Sequence, residues 1–162
     1  MCVICGLGAC FAGCAAPLVR YDAQHRPADF VLRVTLEAAG DGTEADDADP
    51  PTEPGQYVVM PDRELRVALG SGATAGVYPP RTAVLSPEEM DALWRLTVEA
   101  WRSARRENTS AVREQHAAGL RVRVRFRGGG VSRSFAAPLR DEGARALVSR
   151  FVTLRGGEFD AR

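Results

Sequence analysis

The chain reads as an α+β two-layer sandwich, a mostly antiparallel sheet of about five strands with two helices on one face, in the order β, then ββα twice. Three observations predict this. Several short segments alternate apolar and polar residues with period two, the mark of half-buried strands. Two longer segments carry apolar residues at three- and four-residue spacing, the mark of helices with one buried stripe. Strands with one polar face and helices with one apolar stripe are both satisfied when the helices cover one side of an antiparallel sheet. A length of 162 residues suits one such domain, expected over 29–156.

The first strand is expected where Phe30, Leu32, Val34 and Leu36 alternate with Val31, Arg33 and Thr35. The stretch 39–56 follows with no large apolar residue and many Asp, Glu, Pro and Gly, so it buries too little to offset the entropy of ordering and reads as a mobile acidic loop. Asp41, Asp46, Asp47 and Asp49 are hard oxygen donors, but no D-x-D-x-D-G run with a closing Glu is present, which argues against calcium. Tyr57 to Gly70 reads as a hairpin about Asp62-Arg63, with Met60 opposite Leu65 and Val58 opposite Val67. The glycine-bearing segment Gly70 to Tyr78 lacks Gly-Lys-Ser/Thr and leads into Pro79-Pro80 instead of a helix, so it reads as a loop and not a phosphate cradle.

Leu85-Ser86-Pro87-Glu88-Glu89 is the clearest local signal: Ser86 is an N-cap, Pro87 suits the first helical position, and Glu89 completes a capping box. Met90, Leu93, Trp94, Thr97 and Trp101 then form the apolar stripe, with the tryptophans read as core and a ligand pocket as the alternative. After a polar loop, Leu120, Val122, Val124 and Phe126 alternate strictly with Arg121, Arg123, Arg125 and Arg127. A turn at Gly128-Gly129 is expected to set Phe126 against Val131 and Val122 against Phe135, with Ser132 and Ser134 facing Arg125 and Arg123. Arg133 lands on the apolar side of this hairpin. The last helix is expected from about Pro138 to Leu154, with Ala144, Leu147, Val148 and Phe151 inside and Gly156 as its stop, leaving 157–162 as a tail.

Charge totals cancel, 21 basic against 21 acidic residues, and every basic residue is Arg. The sum hides an asymmetry: Trp101 to Arg155 holds 13 arginines against four acids, whereas Glu37 to Glu64 holds nine acids against one arginine. The four arginines 121, 123, 125 and 127 on one face of one strand are the candidate binding residues, since several guanidinium forks can grip a planar anion. Lipid headgroups, anionic glycans, an acidic protein surface or the chain's own acidic loop are the partners considered, and a solvated sheet face is the alternative. Nucleic acid is not expected, because no aromatic side chains interleave with these arginines. Nucleophilic catalysis needs a base within hydrogen-bond reach, and only His25 and His116 exist, one in the tether and one in a polar loop, with no G-x-S-x-G elbow in the sequence. No catalytic residue, metal or cofactor is expected.

Met1 to Gly13 carry no charged side chain and lead directly into Cys14, so 1–13 reads as a signal segment and 14–28 as a tether. Arg20 closes this run short of the about 20 apolar residues that a membrane span needs. All four cysteines, Cys2, Cys5, Cys10 and Cys14, fall here, which rules out a disulfide framework across the body. Their spacing superficially suits zinc, but the spacers are apolar and offer no polar groups to orient ligands. Phe11-Ala12-Gly13-Cys14 resembles the lipobox of bacterial lipoproteins, with Phe11 in the place of the usual Leu. The resemblance implies cleavage before Cys14, acylation of its thiol, and a membrane-anchored location in the cell envelope facing the periplasm or exterior. Without such a signal the location would be cytoplasmic.

The order of elements around Leu85 to Leu93, a strand and hairpin before the capped helix and a second hairpin and helix after it, resembles emfourin-like inhibitors of thermolysin-type metallopeptidases. This implies a protein-binding module, and no inhibitory residue is carried over. The function expected is a non-catalytic, lipid-anchored envelope protein carrying a small binding domain, with an exported protease-inhibitor-like module and a cytosolic domain as alternatives.

Overall fold

Alternation along Val31–Ala39 sends Leu32, Val34 and Leu36 to one face, where each is fully buried, and this strand, β1, occupies the interior of a six-stranded sheet. The computed structural model describes residues 21–39, 53–70, 73, 78–108 and 119–156. In chain order β1 is followed by β2 (Gly55–Val59), β3 (Glu64–Leu69), β4 (Arg81–Val84), α1 (Pro87–Asn108), β5 (Gly119–Gly128), β6 (Val131–Pro138) and α2 (Glu142–Leu154). The strands lie in the order β4-β3-β2-β1-β5-β6, and every neighbouring pair is antiparallel. Inward residues of β1, β2, β3 and β5 share one core cluster with both helices, so α1 and α2 cover the same face and the α+β sandwich expected is the one found. The acidic run 40–52, most of the glycine-bearing loop, His116 and the two chain ends lie outside the described residues.

Six strands replace the five expected because Arg81–Val84 pairs with β3, Glu64 opposite Val84 and Leu65 opposite Ala83. Four residues after Pro79-Pro80, three of them exposed, leave almost no alternation to read. The β2–β3 register also differs. Arg63, at φ 71°, donates its N–H to the Met60 carbonyl at 3.0 Å, and Met60 donates to the Glu64 carbonyl at 3.0 Å. This left-handed residue sets Val59 opposite Leu65, Tyr57 opposite Val67 and Val58 opposite Arg66. A slip of one residue exchanges the faces: Tyr57 and Val59 enter the core, and Val58 belongs to the outer face instead of the apolar one. Gly55 and Gln56, expected in the loop, begin β2.

The β5–β6 turn runs through Gly129-Gly130, both at positive φ, instead of Gly128-Gly129. Such a two-residue turn requires left-handed backbone at both positions. Asp29 holds it in place: Oδ1 accepts the Gly129 N–H at 2.7 Å and Oδ2 that of Gly130 at 2.8 Å. Phe126 consequently faces Arg133, Val124 faces Phe135 and Val122 faces Ala137. The correction is by two residues, so the faces survive and the arginines still point away from the core.

The capping box forms as expected, Glu89 N–H to Ser86 Oγ at 3.1 Å and Ser86 N–H to Glu89 Oε2 at 2.7 Å. Met90, Leu93, Trp94 and Thr97 are buried along α1, joined by Val98, whereas Trp101 is half-buried. Helix α2 starts at Glu142 and not Pro138, because β6 continues through Pro138 and Asp141 caps the helix, its Oδ1 accepting the Ala144 N–H at 2.7 Å. The helices meet where a Cβ built on Gly143 would stand 2.8 Å from Ala100 Cα.

Part of the expected tether is core. Tyr21 is 5% exposed and packs edge-on against Trp94, Trp101 and Phe126 at centroid distances of 5.5, 5.5 and 5.4 Å. Trp94 Nε1 donates to the Asp22 carbonyl at 2.8 Å, and Arg102 donates to the Tyr21 carbonyl at 2.8 Å. Among the described residues apolar burial is thus already present at Tyr21, eight residues ahead of the expected domain boundary.

Candidate functional site

Strand β5 is flanked by β1 and β6, which turns its outward residues into the middle row of an open sheet face. Arg121, Arg123, Arg125 and Arg127 all stand exposed on that face. Alternate residues of an antiparallel strand recur about every 6.8 Å, so the guanidinium groups form a ladder along β5. Across β1 the ladder meets Arg33 opposite Arg125, Thr35 opposite Arg123 and Glu37 opposite Arg121. Across β6 it meets Ser132, Ser134 and Ala136.

Charge along this ladder is unevenly balanced. Arg123 reaches diagonally to Glu37, Nη2 to Oε2 at 3.0 Å, and both partners are solvent-exposed enough for the pair to contribute little stability. At the turn end, Arg127 lies near Asp29, whose carboxyl is held below its ordinary range by the N–H groups of Gly130 and Gly129 and, more weakly, by Arg127. Arg33 and Arg125, by contrast, make no ion pair among the described residues although each directly faces the other.

Between β2, β1 and β5 lies a shallow depression of about 170 Å³ lined by Arg33, Thr35, Glu37, Gln56, Arg123 and Arg125. Gln56 is the unexpected member. It is 9% exposed, faces Thr35 across β1, and its amide makes no hydrogen bond among the described residues. Guanidinium, amide and hydroxyl groups here offer hydrogen-bond donors to an anion, and the Glu37 carboxylate and the Gln56 amide oxygen add acceptors.

The four arginines named from sequence are brought onto one face, and two of them, Arg123 and Arg125, line the depression, while Arg121 and Arg127 flank it along the strand. Arg33 and Gln56 were missed. Arg33 was legible as an outward residue of its strand, but its place beside Arg125 depends on β1 pairing with β5. Gln56 sat at the margin of the acidic stretch, and only its adjacency to Tyr57 hinted at a strand. Cys14 lies outside the described residues. The histidine among the described residues, His25, pairs with Asp22 at 2.6 Å on the surface, its side chain 83% exposed. Among the described residues no group of three His, Cys, Asp or Glu could hold a metal ion, and no helix is long and apolar enough to cross a membrane. No family model matches the chain, and no curated protein matches it in sequence.

Proposed function

We propose that this is a non-catalytic binding domain that engages an anionic partner through the outer sheet face, and that it is held at the envelope membrane by a lipid on Cys14. The observation that carries the first half is the opposed pair Arg33 and Arg125, two cations set side by side without an acid between them among the described residues. Like charges directly across a sheet destabilise it. An anion drawn between them reverses the sign of that interaction, because two guanidinium forks then share one acceptor group. The second half rests on Phe11-Ala12-Gly13-Cys14 and the uncharged run before it.

Two measurements test the two halves separately. The full chain should be retained on an immobilised polyanion and eluted by salt, and Arg33→Gln with Arg125→Gln should abolish retention without changing the circular dichroism spectrum. In a bacterial host the chain should fractionate with membranes and take up labelled fatty acid, and Cys14→Ala should remove both properties. Retention that ignores the arginines refutes the first half, and a product unaffected by Cys14→Ala refutes the second.

A further inference from the structure

We infer that the depression between β2, β1 and β5 receives one acidic sugar unit of a polyanionic polysaccharide, with the remaining charges of the polymer running along the Arg121–Arg127 ladder. This rests on the anion-binding reading above and adds the class of partner.

The size of the depression sets the first limit. Pockets for free small molecules span roughly 300–1,000 Å³, so a volume of about 170 Å³ suits one group of a larger partner rather than a whole ligand. The ladder sets the second. Arg121, Arg123, Arg125 and Arg127 continue in a line through and beyond the depression, which matches a linear polymer with repeated charge. Isolated phosphate or sulfate would engage the opposed arginines and leave the rest of the row unused.

The neutral groups decide the chemistry of the unit. Arg33 and Arg125 take the anionic group. Gln56, nine-tenths buried and without a partner among the described residues, has both a donor and an acceptor to offer. Thr35 adds a hydroxyl, and Glu37 is an acceptor that repels any ligand bringing nothing but negative charge. A partner that carries hydroxyl groups a few bonds from its anion meets all of these groups at once. A uronate or a sulfated sugar does so on one ring. An acidic peptide offers one backbone N–H and one C=O per residue beside its carboxylate, whereas a sugar ring sets several hydroxyls around its anion, enough to meet Gln56, Thr35 and Glu37 together.

The test compares polymers at matched charge and salt, using the full chain and isothermal titration. Polygalacturonate supplies carboxylate sugars, dextran sulfate supplies sulfated ones, polyglutamate supplies carboxylates without hydroxyls, and phosphatidylglycerol vesicles supply a membrane surface. At least one acidic glycan should bind more tightly than polyglutamate and the vesicles, and which one it is tells carboxylate from sulfate. Arg33→Gln with Arg125→Gln should weaken that binding about ten-fold or more, and Gln56→Leu about five-fold, as expected for loss of one hydrogen bond. Gln56→Glu should weaken it further by adding a negative charge, which serves if the leucine variant does not fold. Polyglutamate or vesicles binding as tightly as the better of the two glycans, or binding of that glycan indifferent to both Gln56 variants, overturns the inference and leaves the anion-binding reading intact. If no polymer binds in a manner that depends on Arg33 and Arg125, both readings fall.

Discussion

Arg33 and Arg125 are direct cross-strand partners on β1 and β5, and both side chains project from the solvent face of the sheet. In the unliganded domain the pair is a repulsion that the core must absorb. Arg125→Gln should therefore stabilise the free protein, by roughly a few tenths of a kcal/mol or about 1–2 °C in thermal midpoint. The gain should be largest at about 0.01 M salt, where charges interact over about 30 Å, and should vanish near about 1 M salt, where the range is about 3 Å. Differential scanning calorimetry at the two salt levels checks it, and an unchanged or lower midpoint at low salt counts against the assignment.

Asp29 couples the entry to β1 to the Gly129-Gly130 turn. Its folded carboxyl titrates below the ordinary value of 3.8, first because of the Gly130 N–H and then the Gly129 N–H. A depressed value means that ionised Asp29 favours the folded state above the unfolded value, and that this contribution disappears as pH falls through the folded one. Thermal midpoints of the wild type should therefore drop on acidification below about pH 4, and Asp29→Asn should flatten that part of the profile. Parallel profiles for the two proteins would remove Asp29 from the acid response.

Gly143 sits at the start of α2 against Ala100 of α1. In a helix Ala is ordinarily preferred to Gly by about 1 kcal/mol. Here the added methyl would stand 2.8 Å from the Ala100 Cα and 3.4 Å from its backbone nitrogen, inside the packing distance of rigid backbone. Gly143→Ala should reverse the usual sign and cost about 1–3 kcal/mol through overpacking. Urea unfolding curves report the direction directly.

Tyr21 fills the aromatic cluster formed by Trp94, Trp101 and Phe126. Tyr21→Ala should cost about 3 kcal/mol, the range for emptying a buried aromatic site. Because Trp94 donates to the Asp22 carbonyl, the same change should also shift tryptophan fluorescence in the folded state. Equilibrium unfolding followed by that emission measures both effects. An unaltered midpoint would show that the segment before β1 merely rests on the surface.

What the sequence conveyed well was governed by strong local rules. The Ser86–Glu89 box, the α2 stripe from Ala144 to Phe151 and the alternation of β1 and β5 each express a period or a hydrogen-bond pattern that neighbouring residues settle among themselves. The registers were not legible to the same degree. Arg63 adopts a left-handed backbone that nothing in a non-glycine residue announces, and that one residue moves Tyr57 and Val59 inward. Three consecutive glycines, Gly128 to Gly130, lie at the β5–β6 junction, and the pair that turns is selected by Asp29, 100 residues earlier for Gly129. The arginine ladder was visible because it lies within one strand. The depression was not, because Arg33, Gln56 and Arg125 meet only after β1 has found both of its neighbours.

The placement of β1 inside the sheet has a consequence for how the polypeptide matures. Its hydrogen-bonding partner on one side is made soon after it, but on the other it must await β5, where Arg127 pairs with Val31 and Arg123 with Thr35. A nascent chain consequently displays one unpaired border of β1 together with its uncovered apolar row until β5 emerges. Pairings this distant fold slowly and leave strands open to association with other molecules. Production of this protein should therefore depend on holding the early half apart from its neighbours until synthesis is nearly finished.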